Sequence, residues 1–190
     1  MSDLREGTVL QARSGRHRVQ AEDEVVICQL RGRLKREQLA TDLIATGDRV
    51  LWRPTRPGRG VIEKVLPRET QLSRRRPGHV QAEQVIVANP DQAIFIFAVR
   101  EPLPNLRMLD RLLVLAENND LPAIVCANKV DLVDNKEDAR QLFAVYAGIG
   151  YPVLYTSAKT GQGIEELHDH LCGNLSVLSG PSGVGKTSLL

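Results

Sequence analysis

The sequence predicts a small all-β barrel followed by a mainly parallel α/β domain. Two observations carry this prediction. Short β-branched runs separated by turns fill residues 1–68, whereas continuous apolar runs alternate with helical periodicity from residue 91 onwards. We therefore predict three segments: a barrel over 1–68, a linker over 69–90 and an α/β domain over 91–190.

The first part contains five predicted strands. Turn signals at Ser14-Gly15 and Pro57-Gly58 separate neighbouring strands. Five short strands without a long helical pattern are typical of a closed barrel, and an OB-type barrel is our first choice. The strands are predicted at residues 7–13, 16–20, 24–30, 48–53 and 60–66.

Prolines interrupt any helix between the two parts. Pro67, Pro77 and Pro90 lack a backbone donor and fix the local chain direction. Three consecutive arginines, residues 74–76, lie among them. We therefore expect a positively charged linker here.

The second part alternates strands with helices. Residues 92–99 form a continuous apolar run, as expected of a parallel strand that is covered on both faces. Strands that alternate with helices predict a parallel sheet with helices on both sides. The other predicted strands cover 122–127, 152–155 and 175–179, and the predicted helices cover 106–116, 135–147 and a segment from residue 163.

Composition and charge indicate a globular protein with two different surfaces. Hydrophobic residues make up 42% and charged residues 25% of the chain, which is ordinary for a globular domain. Residues 1–78 carry 17 Lys/Arg against 10 Asp/Glu, and residues 79–190 carry 8 against 13. The basic first part is suited to a polyanion such as RNA.

The sequence also predicts where the protein acts. No apolar run approaches the roughly 20 residues of a membrane span, and residues 1–6 lack the apolar segment of a signal peptide. We expect a cytoplasmic monomer without a membrane partner.

A phosphate-binding loop is predicted at residues 180–188. Its pattern is G-x-x-x-x-G-K-[ST], directly after an apolar strand. Glycines let backbone amides surround phosphate oxygens, Lys186 should reach the β and γ phosphates, and Thr187 should offer its hydroxyl to Mg²⁺. These two residues are the catalytic candidates. The loop residues are Gly180, Pro181, Ser182, Gly183, Val184, Gly185, Lys186, Thr187 and Ser188.

Two earlier segments predict that the base is guanine. Asn128-Lys129-Val130-Asp131 and Ser157-Ala158-Lys159 each follow a predicted strand, so they share one edge of the sheet. The Asp131 carboxylate can accept the two adjacent donors of guanine, whereas adenine would leave it unpaired. The Ala158 amide can donate to guanine O6, and the Lys129 stem can cover the base. The nucleotide is therefore predicted to be GTP or GDP.

In this order, with the guanine segments before the phosphate loop, the chain resembles the circularly permuted, ribosome small-subunit-dependent GTPases of the RsgA or YjeQ type. The resemblance implies a P-loop GTPase-like α/β domain behind an OB-fold RNA-binding domain. It also implies GTP hydrolysis stimulated by the small (30S) ribosomal subunit, contact with rRNA and a role in late subunit maturation. Asn128, Lys129, Val130, Asp131, Ser157, Ala158 and residues 180–188 take the nucleotide-binding positions.

The same resemblance implies parts that this sequence does not contain. Family members continue into switch segments with a D-x-x-G motif and into a zinc domain with Cys and His ligands. We therefore expect that the sequence is an N-terminal fragment, and no zinc ligand or water-positioning residue is assigned. The alternative is an RNA- and GTP-binding fragment without turnover. An ATP-dependent P-loop kinase is disfavoured, since it leaves Asn128 and Asp131 without a role.

The remaining candidates are basic, aromatic, thiol and imidazole side chains. We expect rRNA contact from the basic clusters, and core or edge packing from Trp52 and Tyr151 rather than base stacking. The three cysteines should be buried free thiols, and the four histidines surface residues, since His168 and His170 cannot share a helix face. The basic clusters are Arg31, Arg33, Lys35 and Arg36, then Arg53, Arg56 and Arg59, then Arg74, Arg75 and Arg76; the cysteines are Cys28, Cys126 and Cys172, and the other histidines His17 and His79.

Overall fold

Five strands close a barrel in the first part of the chain. The computed structural model describes residues 3–13, 15–22, 24–32, 44–75 and 83–190. The strands pair in the order β1-β2-β3-β5-β4, and β4 returns to β1. The β3–β5 pair is parallel and the others are antiparallel. The strands are β1 (Arg5–Arg13), β2 (Arg16–Ala21), β3 (Glu24–Leu30), β4 (Arg49–Arg56) and β5 (Arg59–Val65). The predicted OB-type barrel is confirmed.

Alternate side chains of the strands point into the barrel and fill it. Trp52 and Ile62 are fully buried there, together with Val9, Val19 and Val26. The period of two follows from the pleat of the strands. Trp52 therefore packs in the core, as the sequence predicted.

Two strands in the predicted linker were missed by the sequence analysis. Strands β6 (Gln71–Arg75) and β7 (Glu83–Ala88) form an antiparallel sheet. The Ala88 amide donates to the Thr46 carbonyl at 2.8 Å, so this sheet lies beside the chain that enters β4. The prolines excluded a helix, but they did not exclude strands on either side of Pro77, which itself lies outside the described residues.

An ion pair with a buried carboxylate joins the residue before β4 to the segment between β5 and β6. The Arg68 guanidinium donates to both carboxylate oxygens of Asp48, at 2.8 and 2.9 Å, and Asp48 is completely buried. The Ala45 amide donates to the same carboxylate at 2.8 Å. Three donors thus compensate the carboxylate for its lost hydration.

Four parallel strands form the sheet of the second part, in the order β10-β9-β8-β11. Every residue of β8 and β9 is buried, as expected of central strands between two layers of helices. The strands are β8 (Gln92–Ala98), β9 (Ala123–Asn128), β10 (Val153–Thr156) and β11 (Ser176–Ser179). The predicted parallel α/β architecture is confirmed.

Helices alternate with these strands at the predicted places. They are α1 (Leu106–Glu117), α2 (Lys136–Gly148), α3 (Ile164–Leu171) and α4 (Lys186–Leu189). Asn105 and Asn135 cap α1 and α2, accepting from the amides of Met108 and Glu137. In the described ranges, no helix is both long and apolar enough to cross a membrane.

The chain divides into two compact units, Met1–Asn89 and Pro90–Leu190. The two-stranded sheet β6–β7 belongs with the barrel in this division. Each unit has a core of its own, built around Trp52 in the first and around Ile94 and Ile96 in the second.

Two predictions of burial are wrong. Cys28 and Cys126 are buried, and burial raises the pKa of both thiols to about 11, but Cys172 is exposed because it lies just past the last turn of α3. His17 is buried rather than exposed. It lies two residues before Val19 in β2, so both side chains are on the face of the strand that points into the barrel.

Candidate functional site

The carboxyl ends of the parallel strands bring the predicted site together. Asn128 is the last residue of β9 and Thr156 the last of β10, while Ser179 ends β11 directly before the loop. In a parallel sheet these ends lie along one edge, where ligand crevices form. The three predicted segments therefore meet, although Asn128 and Val184 are 56 residues apart in the chain.

Lys186 lies folded over the predicted phosphate loop. Its ammonium group donates to the carbonyl of Gly180 at 2.8 Å and to that of Pro181 at 2.6 Å. An ammonium group has three donors, so one remains for an anion held by the loop. Thr187 and Ser188 are exposed at the start of α4, whereas Val184 is buried in the core cluster with Ile94 and Ile96.

Two glycines of the loop have no room for a side chain. A Cβ on Gly180 would overlap the Ile96 carbonyl oxygen of β8. A Cβ on Gly185, whose φ is +94°, would overlap the side-chain amide of Asn128. The loop therefore takes its shape only with glycine at these two positions.

Asn128 ties the guanine segment to the phosphate loop. Its Nδ2 donates to the Val184 carbonyl at 2.8 Å, and its Oδ1 accepts the Thr156 hydroxyl at 3.0 Å. The side chain is 1% exposed. A buried amide that is satisfied on both sides holds the ends of β9, β10 and the loop in register.

Ser157 orients the Asp131 carboxylate. Its hydroxyl donates to Asp131 Oδ1 at 2.6 Å and accepts the Thr160 amide at 3.2 Å. Val130, between Lys129 and Asp131, is buried and anchors the short 3-10 turn Val130–Leu132. Because Ser157 holds Oδ1, the orientation of the Asp131 carboxylate is already restricted. A ligand that binds the carboxylate therefore costs little additional side-chain conformational entropy.

The Lys129 side chain is held on a second loop. The residue has a left-handed backbone, with φ of +64°, and its ammonium group donates to the Glu101 carbonyl. Glu101 follows β8 and was not a candidate in the sequence analysis. Glu101 lies just past a buried parallel strand, and this position could have predicted that it would be near the ligand-binding edge of the sheet.

These side chains surround a cavity of about 490 Å³. Among the predicted residues that line it are Asn128, Lys129, Asp131, Ala158, Gly185 and Ser188. Ser157 and Val130 are buried behind this lining. Residues 180–184, Lys186 and Thr187 form the adjoining loop and are not part of the lining. The lining side chains suit a planar base, and the phosphate loop adjoins the cavity through Gly185 and Ser188.

A cavity of about 150 Å³ on the barrel is lined by arginines. Arg16, Arg56 and Arg59 line it together with Ile27, which is 46% exposed. Arg31 and Arg53 instead pair with Glu63. Of the other predicted basic residues, Arg33, Lys35, Arg36 and Arg76 lie outside the described residues, as does His79, and nothing is described of the side chains of Arg74 and Arg75.

Comparisons with known proteins cover both parts of the chain. The family model described as RsgA GTPase matches residues 65–190, and the RsgA N-terminal domain matches residues 6–62. A small ribosomal subunit biogenesis GTPase RsgA of Moorella thermoacetica is 46% identical over 185 residues, which is 97% of this chain and 59% of that protein. Its counterpart in Thermotoga maritima is 40% identical over 194 residues, covering 100% and 61%.

Solved structures give the same relationship. The crystal structure of YjeQ from Thermotoga maritima has a TM-score of 0.80 at 40% identity, covering 98% of this chain and 63% of that one. The structure of YloQ, a circularly permuted GTPase, has a TM-score of 0.71 at 31% identity, covering 97% and 62%. The chain spans about three-fifths of the length of the relatives it matches. Because the N-terminal family model matches residues 6–62 and the GTPase family model matches residues 65–190, the chain belongs to the RsgA GTPase family.

Proposed function

We propose that this protein binds and hydrolyses GTP as a factor in late maturation of the small ribosomal subunit. The observation that carries the proposal is the meeting of Asp131, Asn128 and the phosphate loop around one cavity. The relatives are named small ribosomal subunit biogenesis GTPases, which supports the process as well as the nucleotide.

Selection of guanine rests on the Asp131 carboxylate. Guanine offers N1–H and the exocyclic amine as adjacent donors, and a carboxylate with one oxygen fixed by Ser157 accepts both. Adenine has an acceptor at N1 and lacks that amine, so the Asp131 carboxylate would lose both donors and face an acceptor. Sites of this kind reject the unmatched analogue by roughly 10⁴-fold.

The phosphates fit the loop that begins at Gly180. The two glycines that exclude a Cβ leave backbone amides free to approach phosphate oxygens. The third N–H of Lys186 is available to the β and γ phosphates. The exposed Thr187 hydroxyl would hold Mg²⁺. When bound, Mg²⁺ neutralises phosphate charge. We assign these two residues the catalytic role and name no water-positioning residue.

RNA binding is proposed for the barrel. Arg16, Arg56 and Arg59 converge beside the exposed Ile27, which combines phosphate neutralisation with an apolar surface for a base. The partner is the rRNA of the small subunit. We expect binding to weaken steeply with salt, because each neutralised phosphate releases a counterion.

The remaining parts of the proposal follow from the family. We propose a cytoplasmic monomer with GTP or GDP as its nucleotide, a barrel over 1–68, a linker over 69–90 and a GTPase domain over 91–190. Zinc, which the resemblance implies, has no assigned ligands here: among the described residues, no group of three or more His, Cys, Asp or Glu side chains converges.

Nucleotide affinity and turnover test the proposal separately. Equilibrium binding of GTP and ATP to the 190-residue chain should differ by several orders of magnitude, and equal affinity would contradict the guanine assignment. Phosphate release should be measured with and without purified small subunits. Binding without stimulated release would favour the alternative, a non-hydrolysing RNA- and GTP-binding fragment.

A further inference from the structure

Glu101 brings to the nucleotide cavity a carboxylate to which no role has been assigned. The residue follows β8 and lies in the same cavity lining as Lys129, Asp131 and Gly185. It is exposed, and among the described residues its carboxylate forms neither an ion pair nor a hydrogen bond. Asp131, the other acid of the lining, is by contrast held by Ser157. The Glu101 carboxylate is therefore available to a ligand in the cavity.

The backbone of Glu101 has an uncommon conformation. Its φ is +54°, in the left-handed region that residues other than Gly, Asn and Asp rarely take. Its carbonyl accepts a hydrogen bond from the Lys129 ammonium group, which holds the residue beside the guanine segment. Strained backbone of this kind clusters where a chain holds a ligand. Glu101 is thus positioned by a backbone contact that does not involve its carboxylate.

The segment from Glu101 to Pro102 borders both the guanine segment and the phosphate loop. Glu101 contacts Lys129 through its carbonyl, and Pro102 Cδ is 3.9 Å from the place that a Cβ on Gly183 would take. The Lys129 stem approaches the same loop, with its Cε 4.0 Å from the place of a Cβ on Gly185. In a nucleotide, the ribose joins the base to the phosphates. A segment that lies beside both binding elements is therefore expected next to the ribose.

We propose that the Glu101 carboxylate binds the ribose hydroxyls of the nucleotide and makes the site selective for GTP over 2′-deoxyGTP. This assignment rests on the GTP binding proposed above. Ribose offers two neighbouring hydroxyl donors, and an ionised carboxylate has acceptor oxygens for both. Such charge-assisted hydrogen bonds are roughly twice as strong as those between neutral groups. Acidic side chains contact the ribose 2′-hydroxyl in dinucleotide-binding folds by the same chemistry.

Equilibrium titration of the 190-residue chain with GTP, 2′-deoxyGTP and ATP tests the assignment. GTP should bind roughly tenfold more tightly than 2′-deoxyGTP, because the deoxy sugar loses a hydrogen bond to a charged acceptor. Glu101→Gln keeps one acceptor oxygen but not the charge, so the ratio should fall to about threefold. Glu101→Asn shortens the side chain, while asparagine tolerates the φ of +54°. This second variant should lose the preference for ribose.

The ratio of the GTP and 2′-deoxyGTP affinities is the readout, because removal of a negative charge near the phosphates changes both affinities alike. Asp120→Asn is the matched control and should leave this ratio unchanged. Asp120 is exposed, has a φ of +50° and lies past the end of α1, outside the cavity lining. A retained preference for GTP over ATP in each variant shows that the guanine site is intact.

The outcomes separate the ribose contact from the function on which it rests. Equal affinity for GTP and ATP, or binding of neither, would overturn the proposed function and the ribose contact with it. A preference for GTP over ATP combined with equal affinity for GTP and 2′-deoxyGTP would overturn the ribose contact alone. A ribose preference that persists in Glu101→Asn would do the same.

Discussion

The side-chain amide of Asn128 donates a hydrogen bond to the backbone carbonyl of Val184, 56 residues later, at 2.8 Å. This bond joins the end of β9 to the phosphate loop that follows β11. Since β8 lies between those two strands in the sheet, the loop that follows β11 has to cross the sheet edge to reach the amide. The base and phosphate parts of the cavity therefore depend on one side chain.

Asn128→Ala should weaken GTP binding without unfolding the barrel. The substitution leaves the Val184 carbonyl and the Thr156 hydroxyl without this partner, at a cost of about 1–3 kcal/mol. Titration calorimetry should show affinity lower by roughly tenfold or more. Asn118→Ala, at the exposed end of α1, serves as the control. Equal GTP affinity in both variants would show that the amide does not link the two parts of the cavity.

Asp131→Asn should change the preferred base from guanine to xanthine. Asparagine presents one acceptor and one donor, which match N1–H and the 2-carbonyl of xanthine, and its Oδ1 can still accept the Ser157 hydroxyl. We expect GTP affinity to fall by at least about 100-fold while XTP affinity rises. Competition between the two nucleotides measures this. Asp131→Ala should lose GTP without gaining XTP; a variant that loses both equally would point to a structural role for the carboxylate.

Arg68→Met should destabilise the first unit without affecting the nucleotide. It leaves the completely buried Asp48 without its bidentate partner, and breaking such a pair costs about 3–5 kcal/mol. Urea denaturation measures the free energy of unfolding. Arg49→Met removes the exposed pair with Glu69 and should cost about 1 kcal/mol or less. Similar losses in the two variants would contradict this account.

The barrel should lose stability as the pH falls below about 6.5. Burial lowers the pKa of His17, and neither ring nitrogen has a hydrogen-bond partner among the described residues. The unfolded state therefore binds the proton more tightly than the folded state. The contribution of the neutral His17 to folding stability is complete above the pKa of the unfolded state and is lost as the pH decreases below it. Tm at pH 7.5 and 5.5 should differ more for the native chain than for His17→Leu. The same pH dependence in both chains would assign it to other groups.

Local pattern alone determined the nucleotide motifs of this protein and all of its described strands and long helices except β6 and β7. The turn at Gly15, the turn at Pro57-Gly58, the apolar run of β8 and the leucine spacing of α1 each depend on residues that are a few positions apart in the chain. That is why strand and helix positions agreed with the structure to within a few residues. The motif G-x-x-x-x-G-K-[ST] is equally local, because the loop's shape depends on its own glycines.

Only the tertiary structure decided which distant residues meet. Glu101 holds Lys129, Arg68 holds Asp48, and Cys172 stands exposed beside His168. The strands β6 and β7 escaped detection because prolines were weighed against a helix only. Burial and pairing depend on which strands become neighbours and which face they present. That outcome is set by packing across the whole sheet or barrel, so the short-range periodicity of the sequence does not contain it.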